Sequence, residues 1–159
     1  MSKDRLFDPS AFLNDAVPAN ATRRDPLPIG EGIAQVVDLS FESGTVQKQS
    51  SKNYGLPWYR MDAKIQIDDP SYLRDIVGND GNTPVFSTVR IMYDGLETGA
   101  PKSGPNVNVQ LGRFREACGV NGKSLNALIG QRFRFVMSHK PHPSEPDVVL
   151  DEITGYTKA

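Results

Sequence analysis

The sequence predicts a mainly β fold, with five strands and one helix between the third and the fourth. Three observations carry this. Short runs alternate apolar with polar residues, most clearly Tyr59, Met61, Ala63, Ile65 and Ile67 against Trp58, Arg60, Asp62, Lys64 and Gln66. Fourteen Gly and twelve Pro among 159 residues punctuate the chain too densely for long helices. The clearest amphipathic helical spacing lies in Val107, Leu111, Phe114 and Cys118.

Residues 1–30 read as an N-terminal arm, and 31–159 as the domain. In the arm, Asp8-Pro9 is a cap followed by Pro at the first helical position, so FDPSAFLN is expected to form a short helix presenting Phe12 and Leu13 to a neighbouring surface. The Pro-rich AVPANATRRDPLPIG that follows reads as a linker. Strand one is expected from Glu31, with Ile33, Val37, Leu39 and Phe41 sharing a face and Gln35 as its polar exception. It ends at Ser43-Gly44, and SGTVQKQSSKNYG is a long polar loop into strand two.

After strand two, Asp69-Pro70 opens a short helix, PSYLRDIVG, and NDGNTP forms a turn. Val85, Val89, Ile91 and Tyr93 share one face of strand three. The main helix is stopped by Gly119, and Ser124 caps a helical turn in SLNALIG. Strand four, QRFRFVMSHK, turns Phe133, Phe135 and Met137 one way and Arg132, Arg134, Ser138 and Lys140 the other, and DVVLDEITGYT is strand five. This order suits an OB-fold-like, five-stranded Greek-key barrel with a helix between strands three and four and a helical N-terminal arm. An open α+β sheet or a small β-sandwich with an inserted helix also fits.

Composition narrows the function. There is no apolar run of membrane-spanning length and no apolar N-terminal stretch, so a cytoplasmic protein without membrane contact is expected. Cys118 is the single cysteine; it sits on the apolar helix stripe and is expected to be buried and inert. No phosphate-loop, Rossmann, nucleophile-elbow or zinc-protease pattern occurs, and the adjacent acids Asp151 and Glu152 would point to opposite sides of a strand. His139 and His142 lack further His or Cys to complete a metal shell. Neither an enzyme, a metal nor a cofactor is expected.

The net charge of −1 conceals segregation. From Ser43 to Met61 lie Lys48, Lys52 and Arg60 without an acid, and from Gly130 to His142 lie Arg132, Arg134 and Lys140, again without one. Trp58, the only tryptophan, falls on the outer face of strand two beside Arg60 and Lys64, with Tyr54 in the preceding loop. Aromatic groups among cations suit single-stranded nucleic acid, whose bases stack while Lys and Arg follow the phosphates. The candidate contacts are Lys48, Lys52, Tyr54, Trp58, Arg60, Lys64, Arg132, Arg134 and Lys140. Two blander arrangements compete: Trp58 packed beneath the arm, and strand-five acids neutralising the strand-four cations.

The segments FDPSAFLN, PLPIGEGIA, LGRFREACG, LIGQRFRFVMSHKP and DEITGYTKA together resemble small phage-encoded OB-fold proteins of the single-stranded-DNA-binding or recombination-accessory kind. The resemblance covers nearly the whole chain and implies a role in phage DNA replication or recombination in the host bacterial cytoplasm. The end, ITGYTKA, departs from the acidic tail of bacterial single-strand-binding proteins. The partner expected is single-stranded nucleic acid, DNA ahead of RNA, with the arm available to dock on a second copy. The alternative is a phage protein-interaction module, a virion component or an inhibitor of a host factor, that binds no nucleic acid.

Overall fold

The computed structural model describes residues 9–14, 25–52, 54–93 and 104–159. It is mainly β: β1 (Gly30–Thr45), β2 (Pro57–Ile67), β3 (Phe86–Met92), β4 (Arg132–Pro141) and β5 (Val149–Lys158) form one antiparallel sheet in the order β3-β2-β1-β4-β5. A single sheet sets aside the two-layer sandwich. Three strands joined in succession, with the fourth returning beside the first, make a Greek key. Among the described residues no ladder joins β3 to β5. The helices are α1 (Pro9–Asn14), α2 (Pro70–Arg74), α3 (Val109–Ala117) and a 3-10 turn at Leu125–Leu128. Among the described residues no helix is long and apolar enough to cross a membrane.

The alternation of β2 is kept: Met61, Ala63, Ile65 and Ile67 are buried, and Trp58, Arg60, Asp62, Lys64 and Gln66 lie on the other face. In β4, Phe133, Phe135 and Met137 are fully buried, as their spacing requires. Strand β1 corrects the expectation. Its first half buries Gly32, Ala34 and Val36, whereas Ile33, Gln35 and Val37 point outward. A bulge between Val36 and Asp38 inserts one extra residue against β2 and returns Leu39 and Phe41 to the core side, opposite Ala63 and Met61. Gln35 is therefore no polar exception.

Helix α3 seats Leu111, Phe114, Ala117 and Cys118 on the core. Phe114 meets Phe133 and Tyr156 edge to face, with ring centroids 5.1 and 5.2 Å apart. The helix starts at Val109 and not at Val107, because Asn106 and Asn108 take left-handed conformations that halt it on the N-terminal side. Helix α2 is shorter than expected. Asp69 caps it by accepting from the N–H groups of Ser71 and Tyr72, and the α-helix ends at Arg74, with Asp75 as its C-cap.

The Pro-rich stretch read as linker ends in a packed strap. Leu27 is buried in the core, its N–H donates to Asp151 Oδ2 (2.8 Å), and its carbonyl lies 2.7 Å from His139 Nε2. Tyr72 donates its hydroxyl to the Pro28 carbonyl at 2.6 Å. These bonds tie residues 27–28 to β5, β4 and α2. Within α1, Leu13 is exposed; Phe7 and the Phe12 side chain lie outside the described residues.

Candidate nucleic-acid interface

The longest excursion from the core is the β1–β2 hairpin. Paired backbone runs from Phe41↔Met61 to Thr45↔Pro57, and Val46 and Leu56 continue it through a 2.9 Å bond before the loop turns. The tip is polar and Gly/Ser-rich, with Lys48, Lys52 and Tyr54 all exposed. A short turn links Ser51 to Lys48 and Tyr54 to Ser51 by backbone bonds of 3.0 and 3.1 Å.

Trp58 lies on the outer face of β2, as its place in the alternation requires, and is half-buried. What covers it is the sheet. Its indole spreads over Gly44, the residue opposite it on β1, where an added Cβ would come within 2.8 Å of Cζ2. The Arg60 guanidinium carbon stands 5.8 Å from the indole centroid. Glycine below and a cation beside hold the ring in one orientation while part of it meets solvent.

The structure separates the expected cations into two kinds. Arg60 is held by Glu42 Oε2 at 2.6 Å and Asp62 Oδ1 at 2.8 Å, and Arg90 stands 4.0 Å from the same Asp62 oxygen. Arg132 pairs with Asp68 (3.1 Å), and Lys140 with Glu152 (3.4 Å). Lys48, Lys52, Lys64 and Arg134 carry no ion pair among the described residues. Lys64 instead stands 4.4 Å over the Phe86 ring, and Arg134 sits opposite Ile33 on the outer face of β4.

Trp58 and Arg60 thus stand on the paired stem of the hairpin whose tip carries Lys48, Lys52 and Tyr54. Lys64, Arg132 and Arg134 share the same outer face farther along the sheet, on either side of β1. Lys140 lies beyond them, at the β5 edge. The spacing of β3 carries a further signal. If Val89 and Ile91 point inward, Phe86, Thr88, Arg90 and Met92 point outward, and Met92 is exposed opposite Arg60.

The other candidates for chemistry have local roles. His142 Nδ1 accepts from the N–H groups of Ser144 and Glu145 at 3.1 and 3.2 Å, and His139 serves the strap. Among the described residues no three His, Cys, Asp or Glu gather in a metal-binding group. Burial pushes the Cys118 thiol up to about 12, which leaves it protonated and unreactive at neutral pH. Compared with family models, curated proteins and solved structures, the chain matches none.

Proposed function

We propose that the chain is a non-enzymatic, non-sequence-specific single-stranded DNA-binding protein whose interface is the β1–β2 hairpin and the outer face of β2. The observation that carries this reading is Trp58, clamped over Gly44 and part-exposed beside a tip that holds Lys48, Lys52 and Tyr54 and no carboxylate. Bases stack on such a ring and unpaired lysines follow the phosphates. The Greek-key order, with α3 between β3 and β4, supports a partly open OB-type barrel; that fold binds oligonucleotides through its second and third strands and its first loop. The resemblance to phage accessory proteins suggests a place in phage DNA replication or recombination in the host cytoplasm.

Trp58 provides its own test. Single-stranded oligonucleotide should quench the fluorescence of this one tryptophan and bind more tightly than duplex, whose paired bases cannot reach the ring. Equal affinity for both forms, or no binding at low salt, defeats the reading. A protein-interaction surface is the second reading, favoured by the exposed Leu56 and Met92 near Trp58 and by the ion-pairing of Arg60. Binding to a protein through that patch would persist at high salt.

A further inference from the structure

At the end of β2 away from the hairpin, a groove of about 560 Å³ lies between the strap and the chain from Asp75 to Val85. Its volume falls within the range of ligand-binding pockets. Leu27, Ile76 and Val85 line it and pack on the core, and Val77, which also lines it, is 85% exposed. The wall opposite the strap is a fixed turn. Asn79 Nδ2 donates to the Leu73 carbonyl at 2.8 Å, and the N–H groups of Asn82 and Thr83 donate to Asp80 Oδ1 at 2.9 and 2.8 Å.

The lining selects the occupant. Asp25, Asp75 and Asp80 face the groove with no Lys or Arg among the described lining residues, and none of the three has an ion pair among the described residues. An occupant has to bring cations and an apolar group together. The N-terminal arm carries both, and it joins the strap at Asp25, which itself lines the groove. In an extended stretch Lys3, Arg5 and Phe7 fall on one side, with Asp4 and Leu6 on the other. Asp8 is the cap expected for α1. Helix α1 is about 9 Å long, and residues 15–24 extend to at most about 36 Å, so residues 3–7 can turn back onto their own chain. A tether this short gives an effective concentration on the order of millimolar, which favours the chain's own arm over that of a second copy.

We infer that residues 3–7 dock in extended conformation in this groove of their own chain, with Phe7 against Leu27, Ile76, Val77 and Val85 and with Lys3 and Arg5 at the three carboxylates. The docking is independent of the single-stranded DNA reading. The test uses the full chain and a labelled octapeptide of residues 1–8, in fluorescence anisotropy titrations. Phe7→Ser should empty the groove, so the octapeptide should bind that variant at least about tenfold more tightly than the native chain, and less tightly as salt rises. In nitrogen-15 spectra Phe7→Ser should shift amides within 75–85. Adding Val77→Asp to it should abolish binding of the octapeptide. The thermal midpoint and oligonucleotide quenching of Trp58 should not move, because Leu27 still closes the core and Trp58 lies at the other end of β2.

Equal binding of the octapeptide to the native chain and to Phe7→Ser, with the amides of 75–85 unmoved, overturns the proposal. So does octapeptide binding that survives Val77→Asp, or a dimer in sedimentation that Phe7→Ser dissociates, which would seat the arm on a second copy. Val77 is exposed, so Val77→Asp alone should keep the fold. It should shift the amides of 3–7 as it releases them, and unmoved amides there overturn the docking without the Phe7 variant.

Discussion

Trp58 and Gly44 act as one unit. A tryptophan beside a strand neighbour with a Cβ would have to stand off the sheet; over glycine it lies across the strand and keeps one orientation. Trp58→Ala should weaken single-stranded DNA binding by about 1–3 kcal/mol while the thermal midpoint changes little, because the ring is no part of the buried core. A drop in stability of the about 3–5 kcal/mol typical of a core aromatic would contradict that assignment. Gly44→Ala should weaken binding in the same direction, since the new methyl must displace the indole. Oligonucleotide titrations with both variants, alongside thermal melts, check the pair.

The position of Trp58 was legible in the sequence, but the state of its neighbours was not. The cation-rich window from Ser43 to Met61 is bounded by Glu42 and Asp62, one residue beyond each end. The hairpin folds both onto Arg60. Charge counted along a chain cannot register a partner that arrives by strand pairing, nor Asp68 arriving beside Arg132 from the end of β2. Cys118 illustrates the opposite case, because helical spacing alone placed it inside. It should resist alkylation in the folded protein at about pH 8 and react at the rate of an exposed thiol in denaturant, followed by mass spectrometry.

Among the elements, β2 and β4 follow from period two, because each keeps its core-facing residues in unbroken alternation, whereas β5 carries an irregularity at Thr154, the residue without a partner where β4 passes from Val136 to Met137. The first half of β1 departs from period two as well. Its Val36–Asp38 bulge shifts the phase, and both Ile33 and Val37 are apolar enough to mimic an inward face. The strap at 27–28 was likewise hidden, since proline and isolated apolar residues look the same in a linker and in a docked segment. Truncation separates the two. A chain starting at Asp25 keeps the Leu27 burial and its bonds to Asp151 and His139, and should keep its melting temperature. A chain starting at Gly30 loses them and should be destabilised by about 2–5 kcal/mol, the usual cost of removing a buried leucine. Equal melting of the two truncations would show the strap to be dispensable.

For the whole molecule, salt and alkali are the informative variables. If two to four of Lys48, Lys52, Lys64 and Arg134 meet phosphates, log K for single-stranded DNA should fall against log salt with a slope of about −1.4 to −2.8. Participation of the ion-paired Arg60, Arg132 and Lys140 would make it steeper. Alkali acts on the fold itself. Burial raises Cys118 from 9.0 and Tyr72 from 10.0, each to about 12, with the Asp151 charge adding to the effect on Tyr72. Both groups are neutral when protonated, so the unfolded chain gives up protons that the folded chain keeps. Their contribution is complete below about pH 9 and is lost as the pH climbs towards 12. Urea melts across that interval should show falling stability, with Cys118→Ala flattening the earlier part of the fall and Tyr72→Phe the later part.

The Val36–Asp38 bulge has a consequence beyond phase. A bulge concentrates right-handed twist at one point of a strand, and β1 is the strand that joins the two halves of the sheet, with β4 and β5 on one side and β2 and β3 on the other. The dihedral set at Val37 is therefore the pitch of a hinge whose two leaves end in the β3 and β5 edges. A small rotation at this hinge pin is amplified across two strand widths on either leaf. The angle between the leaves is thus set in the middle of the sheet and not at either edge, by Val37, the one residue between Ala34 and Thr45 that has no partner on β2.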